Sequence, residues 1–381
     1  MRVSVISAAT VAALVGYAAS VAIVLAAANA LGATEAQAAS WLLAVSLAKA
    51  AGSAFLSFRY RVPVVLAWST PGAALIAATE GITLAEGVGA FIVAGLLIAA
   101  TGLIRPLGAL VARIPDGIAA GMLAGVLLPF CLKGAGAAEA LPAVVLPMIA
   151  VFLLVRLLNP ALAVLAAFAT GILLALATGA DVSTLALAAP VLEPVAPEFR
   201  LSVLLGLGLP LYLVTMASQN LPGFATLRAA GYEPPVTPAL TVTGLLSAVT
   251  APFGAHTVSM AAITAAICLG PDVHPEKERR WIVGLAYAGA WVILGLLSPA
   301  VLQLLAALPG PMVLALVALA LLSPLMGALT AGFALPEQRF AAVLTLAVTA
   351  SGVAAFGIGA AFWGLVAGIG AQGLDRLKSG R

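Results

Sequence analysis

A few polar residues stand inside long apolar runs, and their types and spacing could hold a small anion. Ser69, Thr70 and Gly72 follow Trp68 in Ala67-Trp-Ser-Thr-Pro-Gly-Ala-Ala74. His256, Thr257 and Ser259 fall in Phe253-Gly-Ala-His-Thr-Val-Ser259, and Gln219 and Asn220 in Met216-Ala-Ser-Gln-Asn-Leu-Pro222. Lys49 and Tyr17 lie deep in two further apolar stretches. Hydroxyls, amides and an imidazole donate hydrogen bonds, while Trp68 and Phe253 offer apolar faces. A small carboxylate with a hydrophobic body matches such a set.

Each residue also has a structural reading. Gln219 and Asn220 can tie helices together, although Pro222-Gly223, expected to break the helix just after them, favours a place in or beside the site, and Tyr17 can pack with its hydroxyl satisfied. Lys49 can snorkel or serve as a counter-charge facing a cavity. His256 can carry a proton, or sit as a neutral imidazole hydrogen-bonded in place. His256 and Lys49 are thus the candidates for coupling to protons, since all fourteen acidic residues fall in or near expected loops.

The elements that position these groups follow from composition. Of 381 residues 63% are hydrophobic and 8% charged, with a mean hydropathy of +1.19. A soluble chain of this length needs more polar surface, so the chain reads as an all-α integral membrane protein. The net charge of +3 is spread singly along the chain, which argues against a nucleic-acid partner. Cys131 and Cys268 lie in apolar runs without metal-ligand spacing, so no cofactor or metal is expected. No HExxH, nucleophile elbow or paired membrane carboxylates suggest an enzyme, and no ring of charge suggests a channel.

Charges are costly in hydrocarbon, so charge-free gaps mark the crossings. Stretches 3–34, 62–79, 87–104, 117–132, 140–155, 157–180 and 201–227, with 36–58 around Lys49, each suit one crossing. Stretches 234–271, 281–336 and 340–374 are long enough for two and carry breakers near their middles: Pro252 with Gly254, Pro309-Gly310-Pro311, and Gly357 with Gly359. The expectation is fourteen spans with both termini cytoplasmic. Of the seventeen Lys and Arg, fourteen then fall inside, Lys133 and Arg200 outside, and Lys49 within a span, as the positive-inside rule asks.

The longest outer loop, about 179–200, divides the chain into two halves of seven spans, the arithmetic of an inverted repeat. Pro71–Ala78 aligns with Ser259–Ala266 at four alanines. Both stretches follow β-prone residues, Val62–Trp68 and Phe253–Val258, so spans 3 and 10 read as helices interrupted by short extended segments. Extended backbone at membrane depth needs protein or a watered cavity around it. Two half-helices starting near mid-membrane from opposite sides aim their N–H groups at one point, which favours an anion.

Four ordered motifs, Ala67–Ala74, Ala217–Gly223, Gly231-Tyr-Glu-Pro-Pro235 and Pro252–Val258 followed by Ala261–Cys268, resemble the bacterial benzoate/proton symporter family over essentially the whole chain. The resemblance implies a fold related to nucleobase permeases and sulfate/bicarbonate anion transporters, with a core (spans 1–4 and 8–11, about 3–110 and 200–305) and a gate (spans 5–7 and 12–14, about 113–180 and 309–375). It implies proton-coupled import of benzoate or a similar small aromatic carboxylate across the bacterial inner membrane, held by spans 1, 3, 8 and 10 and moved by an elevator-like motion. Relatives on this fold are commonly homodimers through their gates. A nucleobase or another small anion on the same fold is the alternative. Two departures stand out. The nucleobase permeases place carboxylates in spans 8 and 10, where this chain has Gln219, Asn220 and His256, and the family's Gly-Gly-His with Val-Asn reads Gly254-Ala-His-Thr-Val-Ser259 here.

Overall fold

The computed structural model describes residues 2–104, 115–179, 188–261 and 263–378. In chain order the elements are α1 (Val3–Ala18), α2 (Val21–Ala30), α3 (Glu35–Tyr60), β1 (Leu66–Trp68), α4 (Thr70–Ala77), α5 (Leu84–Leu103), α6 (Asp116–Ala140), α7 (Pro142–Leu158) and α8 (Ala163–Ala177). Then follow α9 (Leu201–Ala229), α10 (Val236–Thr250), β2 (Val258–Met260), α11 (Ile263–Leu269), α12 (Ile282–Leu296), α13 (Ser298–Ala307), α14 (Gly310–Gly332), α15 (Arg339–Ala350) and α16 (Ala360–Lys378).

The chain is a mostly helical membrane protein. Among the described residues seven helical stretches are long and apolar enough to cross a bilayer unaided, and α12 with α13, bent by 58°, makes an eighth. Local sequence sets several starts. Capping boxes at Thr34/Gln37 and Thr83/Glu86 satisfy the first amides of α3 and α5. Pro309 precedes α14, and the expected break there is present. The turn between α15 and α16 contains Gly357 at φ 71°, again at an expected breaker.

Four local details depart from the expectation. The first span, Val3–Ala30, is present but broken, since α1 stops at Ala18 and α2 starts at Val21. Its turn is fixed by a tertiary contact, as Trp68 Nε1 donates to Ser20 Oγ at 2.6 Å and that hydroxyl donates to Gly16 O at 2.7 Å. Second, the strands pair Trp68 with Val258 and Leu66 with Met260. The strand that leads into α11 therefore ends at Met260, and Ser259 is a strand residue. The alanine match is displaced by four residues, one helical turn, and in the register set by the strand ends only Ala73 and Ala74 meet alanines, Ala265 and Ala266. Third, Lys133 lies within α6, which continues to Ala140.

Fourth, the helix carrying Gln219 and Asn220 does not break at Pro222-Gly223. It widens instead, into π segments at Leu204–Gly208 and Met216–Asn220, each two residues before a proline, Pro210 and Pro222. A proline ring crowds the carbonyl four residues earlier and cannot donate to it, and a wider turn relieves that crowding without ending the helix.

Helix packing falls into two groups. In one, α10 packs on α5, α12 on α3 and α1, and α4 on α2; in the other, α6 packs on α14 and α15, α15 on α16, and α7 on α8. Small residues permit the closest crossings. A Cβ on Gly244 of α10 would stand 2.3 Å from Ala99 N of α5, so the two backbones touch there.

Candidate functional site

Strands β1 and β2 are antiparallel, so α4 and α11 leave the pair at opposite ends. The ladder extends past the strands, with Ser69 N donating to Thr257 O at 2.9 Å and Ala261 N to Val65 O at 3.1 Å. Side chains from surrounding helices satisfy the outer edges. Ser53 Oγ accepts from Leu66 N, Tyr287 Oη donates to Leu66 O, Ser247 Oγ accepts from Val258 N, and Asn220 Oδ1 accepts from Met260 N. This is how extended backbone survives at membrane depth.

The first turn of α4 follows directly. Ser69 caps it, its Oγ accepting from Gly72 N at 3.1 Å, and Pro71 occupies a position whose N–H needs no partner. Gly72 is closely packed, since a Cβ would lie 2.6 Å from Leu211 Cδ1 and 2.8 Å from Ser69 Oγ and would displace both side chains.

A cavity of about 950 Å³ lies between the two packing groups. From the first group Lys49, Trp68, Thr70, Gln219, Tyr287 and Trp291 line it, and α6, the start of α8 and α14 with the following loop close the facing side. The expected residues therefore separate. Lys49, Trp68, Thr70 and Gln219 share the cavity wall. Tyr17 is buried against Trp68 and Trp291, at ring-centroid distances of 5.6 and 5.7 Å. Ser69 and Gly72 form the turn behind Thr70. Asn220, His256, Thr257 and Ser259 are fully buried around the strands, with Thr257 bonded to Thr215 at 2.8 Å and Ser259 directed to Ala67 O at 3.4 Å.

His256 has both ring nitrogens committed. The indole of Trp41 can only donate, so Nδ1 accepts from Trp41 Nε1 at 3.0 Å and Nε2 carries the hydrogen toward Ser69 O at 3.2 Å. This is the neutral imidazole held in place.

Lys49 dominates the electrostatics of the wall. It is 1% exposed, and its Nζ lies 2.9 Å from the centroid of the Trp291 ring and 4.0 Å from that of Trp68. Among the described residues no carboxylate pairs with it; the ion pairs Arg200–Glu86 and Arg279–Glu276 lie elsewhere. Cation–π contact in a desolvated site contributes about 2 kcal/mol, against roughly 2.5–3.5 kcal/mol for a charge at the centre of a membrane helix. The two ring contacts therefore offset part, but not all, of the cost of a charge there.

Trp291 and Tyr287 were not among the expected residues. Their signal was an indole and a phenol four positions apart in an otherwise apolar span, one face of one helix.

Comparison with known proteins adds the following. The profile of the family described as "Benzoate membrane transport protein" matches residues 1–374. The chain is 43% identical over 357 residues to "Inner membrane protein YdcO" of Escherichia coli (strain K12), covering 93% of this chain and 91% of that protein. It is 35% identical over 333 residues to "Benzoate membrane transport protein" of Acinetobacter baylyi (strain ATCC 33305 / BD413 / ADP1), covering 87% of this chain and 84% of the relative. Its fold is similar to the transmembrane domain of the cyanobacterial bicarbonate transporter BicA, with TM-score 0.60, 16% identity, and coverage of 97% of this chain and 98% of the other. It is also similar to SLC26A9, with TM-score 0.64, 14% identity, and coverage of 97% and 65%.

Proposed function

Because the chain belongs to the family of benzoate membrane transport proteins, we propose that it imports benzoate or a similar small aromatic carboxylate with protons across the bacterial inner membrane. The membrane transporter class follows from the family; substrate, coupling and motion are our reading. The observation that carries it is the Lys49 ammonium in the cavity wall, flanked by Trp68 and Trp291 beside the first turn of α4. A carboxylate meets a cation there, and an aromatic ring meets indole faces.

The coupling follows from the cost of moving charge. Loaded, Lys49 and the carboxylate compensate each other. Empty, an ammonium without a counter-ion would cross low dielectric alone, and releasing its proton to the cytoplasm after the substrate leaves avoids this. Lys49 rather than His256 is then the coupling group, because His256 lies off the cavity with both nitrogens bonded.

We read the elements as fourteen spans in two inverted repeats of seven, with both termini cytoplasmic. The packing group of α1–α5 and α9–α13 is the core, and that of α6–α8 and α14–α16 is the gate, sliding in an elevator-like manner as a homodimer. The exposed Asp116 and Pro160 line the cavity, and both belong to segments that the charge distribution of the sequence assigns to the cytoplasmic side. The conformation is inward-open on this reading.

Calorimetric titration of the purified protein with benzoate, uracil and bicarbonate tests the substrate. Benzoate alone is expected to bind; saturable uracil or bicarbonate binding without benzoate binding would overturn the assignment.

A further inference from the structure

Resting on that reading of the α4 turn as part of the substrate site, we propose that Trp41 and His256 are positioning residues, a buried tether that fixes the α4 N-terminus from helix α3. The chain of contacts is continuous. Trp41 Nε1 donates to His256 Nδ1 at 3.0 Å, and His256 Nε2 donates to Ser69 O at 3.2 Å. Ser69 Oγ then accepts from Gly72 N at 3.1 Å. Trp41, His256 and Ser69 are each 0% exposed, so nothing in water competes for these bonds.

The surroundings hold Trp41 and the turn in register. Its ring packs edge-on to Phe91 at 5.4 Å between centroids. Ser40, the preceding residue of α3, donates to Phe253 O at 3.1 Å, so consecutive residues grip both ends of the 253–256 turn. Gly254 closes that turn at φ 88°, a conformation that favours glycine, and a Cβ there would lie 3.1 Å from Trp41 Cβ, so the α3 side would have to give way by a few tenths of an ångström. Ser69 is the N-cap of the helix whose next residues, Thr70 and Pro71, line the cavity. An α3 contact therefore sets where the cavity-facing turn of α4 points.

A tether and a proton carrier make opposite demands on His256. Glutamine carries an acceptor and a donor that can replace both imidazole bonds, and it does not titrate. Trp41→Phe keeps an aromatic ring beside Phe91 while removing the N–H donor and part of the indole's volume.

The test is hydrogen–deuterium exchange of the α4 amides in substrate-free protein in lipid nanodiscs, together with benzoate affinity and gradient-driven uptake. Trp41→Phe, which loses one buried hydrogen bond, and His256→Ala, which loses two, are expected to raise exchange across 69–77 and to weaken benzoate binding by about tenfold or more. The double variant is expected to be no worse than His256→Ala alone. His256→Gln is expected to restore the protection that His256→Ala loses, and gradient-driven uptake with it. Unchanged α4 exchange in both Trp41→Phe and His256→Ala would overturn the tether. So would a His256→Gln protein that keeps its protection but loses gradient-driven uptake, since His256 would then be the proton carrier. The exchange experiment uses no ligand, so a wild-type protein that failed to bind benzoate would sink the substrate reading while the tether was still decided.

Discussion

Replacing Lys49 by methionine separates a binding role from a structural one, because the two predict opposite signs. The substitution keeps the volume of the stem and removes the charge. For stability, where Lys49 is protonated the lost cation–π contact costs about 2 kcal/mol and removing the unpaired charge from the middle of a membrane helix returns roughly 2.5–3.5 kcal/mol; where it has released its proton neither contribution applies. The net for the protonated form is about 0.5–1.5 kcal/mol in favour of the variant, so its melting temperature should equal or exceed that of wild type. For binding, a charge-assisted hydrogen bond to the carboxylate contributes about 1.5–3 kcal/mol, so the benzoate Kd should rise roughly 10- to 150-fold. Thermal unfolding and calorimetric titration in the same detergent read both quantities. A Lys49→Met protein that melts several degrees lower and binds benzoate as wild type does would refute the reasoning, for Lys49 would then be a strut.

Three further outcomes follow from the packing. Asn220→Ala leaves the fully buried Met260 N–H without its 2.9 Å partner, and should destabilise by about 1–3 kcal/mol, read as a lower melting temperature. Gly244→Ala places a Cβ 2.3 Å from Ala99 N; the α5–α10 contact must open, and thermal denaturation should show a loss of about 1–3 kcal/mol. Glu86→Gln removes the 3.0 Å ion pair to the half-exposed Arg200 but keeps a side chain able to close the capping box. Its melting temperature should change by no more than about 1 kcal/mol implies.

The interrupted helices were legible in the sequence because their causes are local. Pro71 with Gly72 and Pro252 with Gly254 disfavour continuous helix whatever surrounds them, and charge-free length sets where crossings can lie. The break in the first span was not legible, since Ala18-Ala-Ser20 contains no breaker and the turn depends on Trp68, 48 residues away. The register of the second half failed for a related reason, as alanine matches alanine a turn out of place. Pro222 announced a disturbance but not its kind, because a helix can answer a proline by widening as well as by stopping.

The site divided along the same line. Lys49, Trp68, Thr70 and Gln219 share the cavity, yet their sequence neighbours Ser69 and Asn220 serve the backbone instead. Which of two adjacent polar residues faces a cavity depends on strand and helix phase, and an unpaired strand edge draws in the nearest amide or hydroxyl. In sequence His256 reads equally as a proton carrier or as an imidazole bonded in place, because the donor that decides between them, Trp41, lies 215 positions earlier. Trp291 reads as packing until Lys49 is seen against its face.

Uptake of labelled benzoate into proteoliposomes, with and without an inward proton gradient, tests the central claim most directly. Accumulation above equilibrium that requires the gradient, and is abolished by Lys49→Met, is the predicted result. Saturable uptake that ignores the gradient, or gradient-driven uptake that survives Lys49→Met intact, would contradict it.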